Sequence, residues 1–170
     1  PITQFIPTHL NRSESIFEAA INYAKKGGIV DFTTSTIKDE DLSSSKCLAK
    51  MLKEQVSIEQ IMFSSDGQGS LPKFDEDGNY IGLGVGEVTS LFSEVKNAVL
   101  EENIPLEAVL KVVTSNVAKH FKLDKKGKIV EGKDADLVIL EKNTLSIESV
   151  IANGKWMMKE DIIIVKGTFE

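Results

Sequence analysis

A chain of 170 residues, 41% of them hydrophobic and 27% charged, holds enough apolar material for one core or a core with a satellite, which excludes a disordered chain. Its net charge of −6 and pI near 5.1 leave no positive face for nucleic acid or an anionic membrane, so neither is expected as a partner. No apolar run approaches the ~20 residues of a membrane span and no signal peptide opens the chain, so a cytoplasmic protein is expected.

In chain order, ITQFI reads as a first strand that ends in the turn PTHLNR. It opens without Met and almost at once in an apolar run, as expected of a piece of a longer protein. The segment SESIFEAAINYAKKGG places Ile16, Phe17, Ala20, Tyr23 and Ala24 on one helical face. Ser15 and Glu18 stand at capping-box spacing, and Gly27 and Gly28 close the helix. IVDFTTS is a second strand, SSKCLAKMLKEQ a second helix and IEQIMFS a third strand. The single Cys47 has no partner for an internal disulfide and reads as a small helix residue in a reducing compartment. This alternation predicts parallel strands joined by right-handed crossovers.

LPKFDEDGNYIGLGVG is expected to be a long loop, with a tight turn at Asp77, Gly78 and Asn79. Helical periodicity resumes through Val88, Leu91, Phe92, Val95 and Val99, and IPLEAVLKVVTSNVAKHF reads as a further helix with Pro105 in its first turn. From Leu123 onward short apolar runs alternate with Gly, Asn and charged turns, the pattern of a small all-β unit. The expected division is therefore 1–122 and 123–170.

His9 and Asp66 each lie just beyond a predicted parallel strand, the edge at which α/β folds bind ligands. Imidazole and carboxylate are the ligand types of a hydrolytic zinc ion, and a carboxylate beside the attacking water can take its proton. Arg12, three residues after His9, offers a planar fork for a substrate carboxylate. The other histidine, His120, sits late in a helix, where a cation complements the dipole. GLGVGE departs from the dinucleotide-binding spacing because Glu87 takes the last glycine position. Asp39, Glu40 and Asp41 read as a solvated helix start. Asp134 and Asp136 in GKDADLV read as shaping a turn.

Taken together, KGKIVEGKDADLVIL resembles the segment by which metal-dependent amidohydrolases leave their barrel for a small β-sandwich. PTHLNR, SSDGQGS and VKGTFE resemble the isoaspartyl (β-aspartyl) dipeptidases of that superfamily. The resemblance implies an α/β fold: the C-terminal part of a (β/α)8 TIM-like barrel, followed by part of a small all-β sandwich. It implies a binuclear zinc site in which His9 ligates the second metal, while Asp66 ligates the first and serves as general acid/base on a bridging hydroxide. Arg12 would hold a substrate carboxylate and Ser70 would contact the bound isoaspartyl dipeptide, with Gly67 and Gly69 letting backbone and Ser70 approach it.

The His-x-His pair, carbamylated lysine and further histidine of such enzymes have no counterpart here, so this reads as the C-terminal portion of a longer hydrolase, inactive alone. Its expected partners are the missing N-terminal part and, through exposed strand edges, further copies of itself as a homo-oligomer. Two other readings are a dihydroorotase-like cyclic amidase, which Arg12 and Ser70 argue against, and a noncatalytic association module.

Overall fold

The computed structural model describes residues 1–34 and 40–167, which leaves Asp39 of the acidic run and the last three residues of VKGTFE outside the described residues. The chain divides into two compact units, Pro1–Val117 and Ala118–Glu170.

The first unit is built on two short parallel strands, β1 (Val30–Thr33) and β2 (Ile61–Ser64), paired in register from Val30↔Ile61 to Thr33↔Ser64. Helices α1 (Glu14–Lys25) and α2 (Ser44–Lys53) lead into and between them, and α3 (Ser90–Leu100) and α4 (Leu106–Val113) follow. Alternation along each strand sorts the side chains. Val30, Phe32, Ile61 and Phe63 join Phe17, Ala20, Leu48, Val95 and Val109 from the helices in one core. Asp31, Thr33, Met62 and Ser64 take the opposite parity. Of the predicted face of α1, Phe17, Ala20 and Ala24 are buried and Tyr23 packs partly buried against the core, whereas Ile16 is exposed; Cys47 is buried on α2.

Ser13 rather than Ser15 caps α1, its Oγ accepting the Ile16 N–H at 3.4 Å. At the other end Gly27 adopts φ +91°, so that Gly27 N–H reaches Ala24 O and Gly28 N–H reaches Tyr23 O, a Schellman closure. Asp41 lies in a 3-10 turn, Glu40–Leu42, just ahead of α2.

Three expectations are corrected. ITQFI is not a strand: Ile2–Gln4 form a 3-10 turn, and the Tyr23 hydroxyl lies 2.8 Å from Ile2 O and 3.0 Å from Phe5 O, drawing those carbonyls toward α1. Strand-like pairing begins only at Pro7, which has no N–H to contribute; Asp31 N–H donates to Pro7 O and Leu10 N–H to Asp31 O. The long loop after Ser70 is instead an antiparallel hairpin of β3 (Ser70–Phe74) and β4 (Tyr80–Val85), closed by the expected turn with Gly78 at φ +84°. Glycine hides this strand in the sequence: a Cβ on Gly84 would lie 2.7 Å from Lys73 Cε, so the missing side chain makes room for the lysine stem. Finally, the last predicted helix breaks at Thr114 into α4 and α5 (Ser115–His120). Thr114 Oγ1 donates to Leu110 O at 2.6 Å, while buried Asn116 donates to Ile58 O and Ile61 O, pinning α5 to the start of β2.

The second unit is an antiparallel sheet of β5 (Leu137–Leu140), β6 (Ile147–Ala152), β7 (Lys155–Lys159) and β8 (Ile162–Ile163) in sequence order. Asn153 and Gly154, both at positive φ, make the tight β6–β7 turn. Lys126 bridges Asp134, at 3.0 Å, and Asp136, whose other oxygen accepts Asn153 N–H at 2.7 Å. These two carboxylates hold the entry to the sheet. The architecture is mixed α/β, and the described residues form no closed barrel.

Candidate active site

Two turns, one on either side of β1, carry the candidate residues. In the first, Arg12 N–H donates to His9 O at 3.3 Å, and His9 sits at φ +58°. In the second, Gly69 N–H donates to Asp66 O at 2.9 Å, and Asp66 sits at φ +50°. A left-handed conformation costs a non-glycine residue roughly 1–2 kcal/mol, and such strain gathers where surrounding structure imposes it. Here both imidazole and carboxylate occupy the strained first position of their turn. The His9 turn follows the segment paired to one edge of β1, and the Asp66 turn follows β2, paired to the other edge.

The first turn is anchored by Asn11, which is only 1% exposed. Its Nδ2 donates to Thr33 O and Leu42 O, each at 3.1 Å, and its Oδ1 accepts Thr33 N–H at 3.0 Å. The side-chain amide therefore replaces a strand neighbour at the end of β1. Arg12, next to it, is exposed and free to reach outward. The second turn is packed by glycine. A Cβ on Gly67 would lie 2.7 Å from Val88 Cγ2, and one on Gly69 would lie 2.8 Å from both Asp66 O and Asp66 Oδ1. Ser70, exposed, then begins β3 opposite Val85.

Gly69→Ala should therefore displace the Asp66 carboxylate while leaving the core untouched. We expect a shifted Asp66 amide resonance with a melting temperature close to the parent's; an unmoved resonance would show that the turn absorbs the methyl group.

Between the two turns lies a ring of four polar side chains. Thr8 Oγ1 and Ser64 Oγ each donate to Asp31 Oδ2 at 2.6 Å. Thr33 Oγ1 lies 3.3 Å from Ser64 Oγ and 3.5 Å from Thr8 Oγ1. Burial pushes the Asp31 carboxyl above its ordinary value, against the pull of the Ser64 and Thr8 hydroxyls. Asp31 and Asn11 were not among the sequence candidates. The one signal for Asp31 was a carboxylate inside an otherwise apolar strand, and Asn11 gave none.

His9 Nδ1 is buried with no hydrogen-bond partner. A nitrogen left so suits a metal, which takes its lone pair. Among the described residues no three His, Cys, Asp or Glu side chains form a metal-holding group, so His9 and Asp66 could supply only part of a metal's ligands. His120, the other histidine, lies in the last turn of α5. GLGVGE falls on β4 and its exit, in a hairpin rather than a strand-to-helix loop.

Residues 7–167 match the Amidohydrolase family, and the chain belongs to that family. Among solved structures, the β-aspartyl dipeptidase of the thermophilic, keratin-degrading Fervidobacterium islandicum AW-1, in complex with β-Asp-Leu dipeptide, is 37% identical with a TM-score of 0.84. That match covers 99% of this chain and 43% of the dipeptidase, and it bears out the resemblance drawn from PTHLNR and SSDGQGS. N-acetylglucosamine-6-phosphate deacetylase from Pasteurella multocida shares the fold, at 20% identity and a TM-score of 0.61 over 89% of this chain and 44% of its own. A curated deacetylase of that name from Lysinibacillus sphaericus is 31% identical over 86 residues, 49% of this chain and 22% of the deacetylase. The chain thus spans less than half the length of each of these proteins. Among the described residues no helix is long and apolar enough to cross a membrane.

Proposed function

We propose that this chain is the C-terminal portion of a zinc-dependent isoaspartyl dipeptidase of the cytoplasm. In this reading residues 1–122 supply the last strand–helix units of an incomplete (β/α)8 barrel and 123–170 supply part of a small β-sandwich. The observation that carries it is the pair of strained turns flanking the end of β1, one carrying His9 and Arg12 and the other Asp66 and Ser70. The likeness to a β-aspartyl dipeptidase over 99% of the chain supports it.

His9 and Asp66 would hold zinc, which when bound polarises the scissile carbonyl and makes water nucleophilic near neutral pH. Asp66 takes the proton of the attacking water and returns it to the leaving amine. Arg12 pairs its guanidinium with a substrate carboxylate, favouring the β-linked aspartyl group by geometry as well as by charge. The Ser70 hydroxyl hydrogen-bonds the dipeptide. Remaining ligands come from the N-terminal part of the polypeptide, and the exposed apolar strands Tyr80–Val85 and Ile162–Ile163 are surfaces for that part or for further copies in a homo-oligomer.

The experiment compares this chain with the complete polypeptide to which it belongs, measuring bound zinc and hydrolysis of an isoaspartyl dipeptide beside its α-linked isomer. The complete polypeptide should hold zinc stoichiometrically and cleave only the isoaspartyl isomer, and the chain alone should do neither. Equal cleavage of both isomers would overturn the substrate reading. Stoichiometric zinc and selective turnover by the chain alone would overturn its incompleteness.

A further inference from the structure

We propose that Asp31 is a positioning residue that sets the spacing of the two ligand-bearing turns, with Thr8 and Ser64 as its arms. The inference rests on the reading of His9 and Asp66 as the metal-facing pair.

Three contacts from Asp31 bracket His9. Its N–H donates to Pro7 O at 3.3 Å, its carboxylate accepts the Thr8 hydroxyl at 2.6 Å, and its carbonyl accepts Leu10 N–H at 3.2 Å. The His9 turn therefore has little freedom to slide or tilt relative to β1. The same oxygen, Oδ2, accepts the Ser64 hydroxyl, two residues before Asp66. One buried atom thus joins the approach to His9 with the approach to Asp66, and Thr33 Oγ1, with one proton to give, stands 3.3 Å from the Ser64 hydroxyl and 3.5 Å from that of Thr8.

A strand that needed only to pack would carry an apolar residue here. Asp31 is 5% exposed, and a buried carboxylate is costly unless hydrogen-bonded. Two hydroxyls at 2.6 Å are short, charge-assisted partners. What the residue provides beyond packing is a fixed distance across three neighbouring segments. A metal pair needs its donors held to about 0.5 Å.

Because Asp31→Ala would open a hole in a buried strand, the test uses the arms. Thr8→Val and Ser64→Ala each remove one hydroxyl, and Thr8→Ser restores the hydroxyl without the methyl. In the 170-residue chain the readout is the ¹⁵N resonances of the His9 ring and the Asp66 backbone. In the complete polypeptide it is zinc affinity, by competition with a chelator. Thr8→Val should move the His9 ring signals, Ser64→Ala the Asp66 amide, and each should weaken zinc binding by about 10–100-fold, as outer partners of metal ligands do. Thr8→Ser should return both readouts to the parent values. Parent-like His9 and Asp66 signals in Thr8→Val and Ser64→Ala, or a Thr8→Val effect that Thr8→Ser does not rescue, would overturn the proposal. A parent polypeptide without isoaspartyl turnover would sink the dipeptidase reading yet leave the resonance result decisive, so the two failures are separable.

Discussion

Asp66→Asn in the complete polypeptide should lower kcat by about 10²–10⁴-fold, the usual contribution of a positioned proton-transfer group, with the fold unchanged. Asparagine keeps the shape of the side chain and tolerates the left-handed backbone at φ +50°. The turn itself depends on backbone, through Gly69 N–H to Asp66 O, so it should survive. What is lost is the base. An amide cannot take a proton from water, and its oxygen is a weaker metal donor than a carboxylate. Steady-state kinetics on isoaspartyl substrate, beside a melting curve, checks this. Parent-like kcat with the variant folded would remove Asp66 from the chemistry.

Phe32→Ala should cost about 3–5 kcal/mol of stability, a sizeable part of the 5–15 kcal/mol that a domain has. Phe32 is fully buried on β1, with the Phe17 ring of α1 at 5.8 Å and the Phe63 ring of β2 at 6.5 Å, both tilted. Removing it empties the place where helix and both strands meet. Urea unfolding should show the midpoint falling sharply. A loss below about 1 kcal/mol would mean that the rings repack, against the usual behaviour of close-packed interiors.

The parts legible in the sequence are those fixed by local pattern. The buried stripe Phe17, Ala20 and Ala24 repeats at helical spacing, and VDFT and IMFS stand between helices at the distance that parallel pairing requires. His9 and Asp66 drew notice because each follows a segment that reads as a strand, a reading that holds for IMFS before Asp66 and fails for ITQFI before His9. Other features depended on partners far along the chain. The fate of ITQFI turned on the Tyr23 hydroxyl, and the break at Thr114 on Asn116 reaching Ile58 and Ile61. Gly82 and Gly84 erased the alternation that would have marked β4. Asn11 looks ordinary alone and Asp31 shows only a carboxylate in a short strand, since their partners lie 22 to 33 positions away.

The ring around Asp31 also bears on the order of folding. Its two short hydrogen bonds join residues 23 and 33 positions apart, so each closes across a separate helical crossover. Contacts of such separation carry a loop-closure penalty that local helix formation does not. A nascent chain with only one crossover docked has only half the ring, and one of the two turns lacks its brace. The pair proposed to face the metal should therefore come into alignment late, after α1 and α2 have both packed against the strands. A partly folded chain would then offer divalent ions His9 or Asp66 singly, and not the two together.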